Sequence, residues 1–388
     1  MPTSAQPHLL HVFPSFEAAG AQARTAALMG GFGDRYRHTL VALDGVWEAL
    51  AWVPDEVELA RADVPHRRGP LATARGLARL LRERRPDLLC TYNWGSFDAV
   101  LAARMTGQAA HVHHEDGFHA AEAERPIERR VWARRLGLRR ASAVAVPSSK
   151  LASMASVLWR LPEEQIHWIP NGVDTERFHP AQKSALRAAS DGLLAELGLP
   201  PHARVIGAVG RLNPVKRFDR LIRACARLQP GEAPVHLVIA GVGDELPALQ
   251  ALATQHRPPG GSVHFLGYRS DLPVLYGAMD AFVISSDSEQ QPVSQLEAMA
   301  AGVPLVATAV GDVPGTLPEI ARQLVIELSA ADVEGELARG LDKLLASADL
   351  CADLARRGRA RVEERYSRAA MLEAYGQLYA SALATAKS

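Results

Sequence analysis

Short, almost wholly apolar runs recur along the chain, separated by longer stretches with helical spacing, and the whole rhythm occurs twice. In the first half the runs are LLHVF, HTLVAL, DLLCTY, AHVHH and SAVAVPS, with helix-periodic segments such as Leu71 to Arg84 and Phe97 to Met105 between several of them. Runs of this kind read as buried strands, and strands joined by crossover helices lie parallel. After residue 200 the pattern restarts with RVIGAVG, VHLVIAG, VHFLG, AFVIS and PLVATAV. The expectation is an α/β chain of two doubly wound, Rossmann-like parallel-sheet domains. A length of 388 residues agrees, because one hydrophobic core rarely serves more than about 250 to 300 residues.

Between the halves lies IHWIPNGVDTERFHP, rich in Pro, Asn, Gly and Asp, where neither period persists. It reads as a linker, with the boundary near Pro180. Residues 1–180 and 181–365 are then the two domains. The remainder, 366–388, is an amphipathic helix with no strand after it, which must dock on a body already built. Lys plus Arg equals Asp plus Glu at 43 each, so whole-chain charge points to neither nucleic acid nor an acidic partner. Cys90, Cys225 and Cys351 lie far apart without C-x-x-C spacing, against a disulfide framework or a zinc site. No run approaches the length of about 18 apolar residues that spanning requires, and MPTSAQPHLLHVFPSF lacks the pattern of a secretion signal. A cytoplasmic protein, in contact at most with a membrane surface, is expected.

In open α/β sheets ligands bind beyond the carboxyl ends of the strands. One such end is SEQQPVSQLEAM, Ser288 to Met299, which follows the buried run AFVIS. Pro292 suits the first turn of a helix over Val293 to Ala301, where its missing N–H costs nothing. The amides of Val293 and Ser294 would then face an anion. Glu289 and Glu297 flank that position, which suits an anion bracketed by hydroxyl-bearing rings, as in ribose, diphosphate and hexose. Glu297 would take the ribose and Glu289 the hexose. The competing reading makes both acids solvated groups of an exposed helix. A second strand end, GAVGRLNPVKRFDRLIRA, offers Arg211 and Lys216 to neutralise a diphosphate and stabilise a leaving group. Arg217 and Arg220 read as solvated. GVGDEL, Gly241 to Leu246, lacks the third glycine and the ribose acid of a dinucleotide fingerprint.

Together GRLNPVKRFDRLI, GVGDELPAL, VHFLGY, SEQQPVSQLEAMAAGVPLVATAVGDVP and the linker IPNGVDTERF resemble glycosyltransferase family 4, retaining transferases of the GT-B fold. The likeness runs in order along nearly the whole chain. It implies a GT-B architecture whose two domains face a cleft. It also implies that Glu289 and Glu297 contact the donor hexose and ribose, and that Arg211 and Lys216 are the family's basic pair. The family usually has glycine and an aromatic after the first acid. Gln290 and Gln291 stand there and leave the donor sugar open.

The first half is expected to meet the acceptor. FPSFEAAGAQARTAALM resembles the family's glycine loop, with Gly20 at a helix start; the other reading is a tight turn. HVHHEDGF, His111 to Phe118, ends a strand, and the resemblance places Asp116 at the sugar-contacting position before Gly117, with His114 and Glu115 beside it. A metal held by His111, His113 and a carboxylate is the weaker alternative, since nothing elsewhere completes a ligand set; no metal site is assigned. Asn93 and Trp94 in TYNWGSF offer a hydrogen-bonding group and a ring face for a sugar, or a Trp packed under its loop. ERPIERRVWARRLGLRR, Glu124 to Arg140, is either a solvated basic face or a surface resting on anionic lipid. SDSE, Ser286 to Glu289, is a faint D-x-D match.

The activity so implied is retaining transfer of a hexose from a UDP- or GDP-sugar to a glycan, glycolipid or small-molecule acceptor, without a cofactor or metal. A bacterial polysaccharide or glycoconjugate pathway suits it. The alternatives are a catalytically silent nucleotide-sugar-binding subunit and, further off, an NAD-dependent oxidoreductase.

Overall fold

The computed structural model describes residues 6–64, 69–117, 126–180 and 192–386. They form two compact units, one of residues 1–171 with 369–388 and one of residues 172–368.

The N-terminal unit contains a seven-stranded sheet: β1 (His8–Phe13), β2 (Arg37–Ala42), β3 (Leu59–Arg61), β4 (Leu88–Tyr92), β5 (His111–His114), β6 (Ala143–Val146) and β7 (Ile166–Trp168). Its order is β3-β2-β1-β4-β5-β6-β7, and every pairing is parallel. The C-terminal unit contains β8 (Arg204–Val209), β9 (Val235–Ala240), β10 (Val263–Phe265), β11 (Ala281–Ile284), β12 (Leu305–Thr308) and β13 (Val325–Ile326). Their order is β10-β9-β8-β11-β12-β13, again all parallel. The fold is GT-B, with two Rossmann-like units. In each sheet the connections reverse direction once, between β1 and β4 and between β8 and β11. At such a point neighbouring loops diverge, and a crevice opens beyond the strand ends.

The ten apolar runs all fall on strands. Three further strands, β3, β7 and β13, lie at sheet edges, where a strand has one neighbour and does not need a continuous apolar run. β7 occupies the first residues of the segment expected to be linker, and its side chains remain partly exposed.

The histidines inside β1 and β2 are tolerated because each has a polar partner. His8 Nε2 meets Thr39 Oγ1 at 2.8 Å, and His11 meets Tyr92 OH at 2.9 Å and the His38 ring at 3.0 Å. Burial holds His11 well below its ordinary pKa and pushes His38 down to about 4, so the core holds neutral rings. The final helix, Arg368–Thr385, presents Met371, Tyr375, Leu378, Tyr379 and Ala382 along one stripe to Phe13, Phe32, Tyr36 and Tyr92. It therefore completes the N-terminal core. No described helix is long and apolar enough to cross a membrane.

Candidate active site

Both loops at the C-terminal reversal carry charged groups, and the fold brings them together. The loop after β8 turns through Pro214–Lys216, where the Asn213 side chain accepts from the Lys216 amide at 3.2 Å. This directs Lys216 toward the loop after β11. There Lys216 Nζ donates to Glu289 Oε1 at 2.6 Å, and Ser286 Oγ donates to the same oxygen at 2.7 Å. Neither bond uses Oε2. The side chains remain 23% and 12% exposed, so the pair lies at a surface and not in a core. Arg211 is exposed at the start of the same β8 loop.

Backbone packing holds this arrangement. At Gly241 a Cβ would fall 1.8 Å from Gly210 O, and at Gly243 one would fall 2.2 Å from Leu212 O. GVG therefore serves close approach of the β9 loop to the β8 loop. Gly311 does the same for the acid loop. Its φ is +52°, and a Cβ would fall 2.2 Å from Glu289 O, while Asp312 N–H donates to Gln290 O at 2.8 Å. Gln291 is buried behind the loop.

The helix after that loop is Val293–Ala300, entered through an extended Pro292 with no side-chain cap. The Gln295 amide donates to Pro292 O at 3.1 Å, while those of Val293 and Ser294 precede any intrahelical acceptor and carry the positive end of the dipole. Glu297 lies about one turn in, where Tyr276 OH donates to its Oε2 at 2.8 Å. Burial raises the Glu297 pKa above its ordinary range; the Tyr276 hydroxyl and the charge of Arg177 oppose that rise. No local pattern marks Tyr276, which lies 21 residues away.

At the N-terminal reversal His114 and Glu115 are buried, Asn93, Trp94 and Asp116 are half-buried, and Gly20 is exposed. Gly20 begins the helix Gly20–Phe32 and is exposed, with open space where a Cβ would be. Asn93, at a φ of +56°, accepts from the Asp116 amide through its side-chain oxygen at 2.7 Å. Asp116 is ion-paired to Arg24, a buried residue of the same Gly20 helix that the sequence reading passed over. Arg24 lies one turn after Gly20, the only local signal it gave.

Two expectations are corrected by burial. Glu115 is fully enclosed, accepting from Arg134 Nε at 2.7 Å, so it does not face an acceptor. Burial pushes its carboxyl up, but the Arg134 guanidinium and the nearby His113 ring outweigh that and leave it below its ordinary range. His114 is equally buried, stacked on Tyr92 with centroids 4.4 Å apart and bonded to Tyr379 OH at 3.0 Å. Trp94 stacks on Phe97 at 4.8 Å, with the Arg130 and Arg134 guanidiniums 5.1 and 5.2 Å from its ring centre. The ring is half-buried, packed on this side against the cluster around Phe97. His111 and His113 share one face of β5, both meeting Thr91 Oγ1, at 2.9 and 2.8 Å. Among the described residues no three His, Cys, Asp or Glu side chains gather as a metal's ligands would. Phe118, Glu124 and Arg125 lie outside the described residues.

Comparison with known proteins agrees with this architecture. Residues 18–177 match the model of Glycosyltransferase Family 4, and residues 192–361 match that of Glycosyl transferases group 1. The lipopolysaccharide core biosynthesis glycosyltransferase LpsE of Rhizobium meliloti is 35% identical over 187 residues, 48% of this chain and 53% of that protein. The D-inositol 3-phosphate glycosyltransferase of Stackebrandtia nassauensis is 31% identical over 287 residues, 69% of this chain and 62% of that protein. The chain thus spans between half and two thirds of the length of these relatives. Anabaena HepE, solved with UDP and glucose, superposes with a TM-score of 0.80 at 19% identity, covering 97% of this chain and 100% of HepE. With family matches on both halves and a common fold throughout, the chain belongs to glycosyltransferase family 4.

Proposed function

We propose that the chain transfers a hexose from a UDP- or GDP-sugar to a hydroxyl of a glycan, glycolipid or small-molecule acceptor, with retention of anomeric configuration. The observation that carries this reading is the Lys216–Glu289 pair, 2.6 Å long, at the β8/β11 reversal beside an uncapped helix start. The diphosphate would lie against Lys216, Arg211 and the amides of Val293 and Ser294. Hexose hydroxyls would donate to Glu289, and ribose hydroxyls to Glu297, whose carboxyl Tyr276 holds in place.

As the bond to the anomeric carbon lengthens, negative charge grows on the leaving phosphate. Donors already aimed there stabilise that charge more than the ground state, and this difference is the catalysis. Neutralisation falls to these side chains and amides, with no metal ion invoked. No carboxylate pair is assigned as nucleophile and acid, so the acceptor is proposed to attack from the leaving-group face, its proton passing to a phosphate oxygen. Asp116, with one oxygen held by Arg24, would orient the acceptor hydroxyl beside Gly20. His114, Glu115 and Asn93 act indirectly, by fixing the loop that carries Asp116.

HepE was solved with UDP and glucose, and LpsE is named for lipopolysaccharide core assembly; both support a nucleotide hexose and a bacterial glycan or glycolipid. The test is incubation with UDP- and GDP-hexoses and simple alcohol acceptors, following nucleoside diphosphate release and the anomer formed by NMR. Release with retention is expected. Inversion contradicts the mechanism, and binding without release favours the silent subunit.

We also propose that the N-terminal unit touches anionic lipid. Trp132 and Leu136 are 56% and 58% exposed, with Arg135 4.4 Å from the Trp132 ring centre and Arg129, Arg139 and Arg140 exposed nearby. An apolar ridge among arginines suits the boundary of an acidic bilayer. Co-sedimentation with vesicles should require anionic lipid and weaken in Trp132→Ala; equal binding to neutral vesicles contradicts it.

A further inference from the structure

The geometry points to Asp287 as a positioning residue that sets Lys216 against Glu289, an inference that rests on the donor reading above. Lys216 and Glu289 belong to loops from different strands, so their 2.6 Å contact depends on whatever ties those loops together. Asp287 stands at the join. Its N–H donates to Val215 O at 2.9 Å, its Oδ1 accepts from Arg220 Nη2 at 2.6 Å, and its Oδ2 accepts from Arg217 Nη1 at 2.9 Å. Each carboxylate oxygen thus holds one arginine of the lysine-bearing segment.

The same seam has two further stitches. Ser285 Oγ donates to Lys216 O at 2.9 Å, and Arg220 Nη1 donates to Ser285 O at 2.7 Å. Arg220 is only 7% exposed, which corrects its reading as a solvated cation. Arg217 follows Lys216 directly, at a φ of +51°, and is also bound by Asp219 at 3.0 Å. The D-x-D-like SDSE match therefore has another explanation: its aspartate is a clamp on two guanidiniums.

Asp287 also matters through charge. Without it, Arg220 loses its carboxylate partner and Arg217 keeps only Asp219, which belongs to its own segment. The charged tie between the two loops is then gone, and Lys216 is no longer held in register with Glu289. Asp287 itself touches no donor in this scheme.

The test is a double-mutant cycle on the full chain, reading UDP and GDP affinity by calorimetry and melting temperature without ligand. Asp287→Asn should weaken binding of the preferred diphosphate by about five- to tenfold, and Lys216→Ala by more. In the Lys216→Ala background, Asp287→Asn should have little further effect, because its action passes through the lysine. Arg220→Lys serves as a second, charge-conserving variant if Asp287→Asn folds poorly, and it should show the same dependence on Lys216. Equal losses with and without Lys216, or unchanged affinity in both clamp variants, would overturn the proposal. Failure of the unaltered protein to bind either diphosphate overturns the donor reading itself, and the clamp with it.

Discussion

The two units share one topology but use their charged residues differently at the reversal point. In the N-terminal unit Glu115 and His114 are turned inward, the one bound to Arg134 and the other stacked and bonded within the core, while Asp116, paired to Arg24, stays half-buried. In the C-terminal unit Lys216 and Glu289 stay at the surface, and an uncapped helix start lies beside them. A buried pair mainly fixes shape, because its charges are spent on each other. A pair still in reach of solvent can exchange its bonds for those of a ligand. Under the proposed function this contrast fits donor binding by the C-terminal unit, with Glu115 and His114 framing the loop that carries Asp116.

The sharpest way to break this contrast is to remove one acid from each unit. Glu115→Ala takes away the carboxylate that balances a buried guanidinium, and should cost about 3 to 5 kcal/mol in chemical denaturation while leaving diphosphate affinity of the folded protein unchanged. Glu289→Gln should cost less than about 1 kcal/mol of stability, being partly exposed, but impair turnover. A large stability loss at Glu289 would erase the distinction.

Close behind in size is Lys216→Ala, expected to lower kcat by about 100- to 1000-fold, the usual loss of one preorganised donor to developing charge, with the fold retained. Near-normal turnover would remove Lys216 from the site.

Acid offers a graded comparison. His11, His38, His111 and His114 all have depressed pKa values through burial, and Glu115 lies below its ordinary value. The unfolded chain therefore takes up protons first, and stability is lost as the pH falls below the ordinary histidine value of 6.5. In the C-terminal unit burial also lowers His236 and His264, but Glu297 has the opposite sign: its raised value makes ionisation costly, so its contribution fades as the pH rises from 4.5. Hydrogen exchange followed by peptide between pH 7 and about pH 5 should show the N-terminal unit opening first. Simultaneous opening would contradict the contrast.

Gly311→Ala tests the packing that holds the acid loop. A side chain in the left-handed region costs about 1 to 2 kcal/mol before the clash of its Cβ, 2.2 Å from Glu289 O, is added, so diphosphate affinity should fall together with melting temperature.

Much of the fold was legible because buried parallel strands announce themselves as apolar runs, and all ten runs lie in strands. The edge strands β3, β7 and β13 were not, since one-sided pairing needs no such run. Local signals sufficed to place Lys216, Glu289 and Glu297 in strand-end loops or the first turns of a helix, where the structure has them. Their partners were hidden by distance along the chain: Lys216 lies 73 residues from Glu289, and Arg24 lies 92 from Asp116. Arg220 looked like any surface arginine until the β11 loop was placed over it. The burial of His114 and Glu115 is hidden for a related reason. A polar cluster at a strand end reads as cleft-facing unless one knows that Arg134 and Tyr379, the latter 265 residues from His114, close over it.

The most direct measurement of the central claim is a thermal-shift titration with UDP- and GDP-sugars of the unaltered protein, Lys216→Ala and Asp116→Asn. A ligand that binds only the folded form raises its melting temperature by mass action. A nucleotide sugar held by the β8/β11 loops should stabilise the unaltered protein and Asp116→Asn alike, and leave Lys216→Ala nearly unmoved. A shift that survives loss of Lys216, or one that vanishes with Asp116, would place the donor elsewhere.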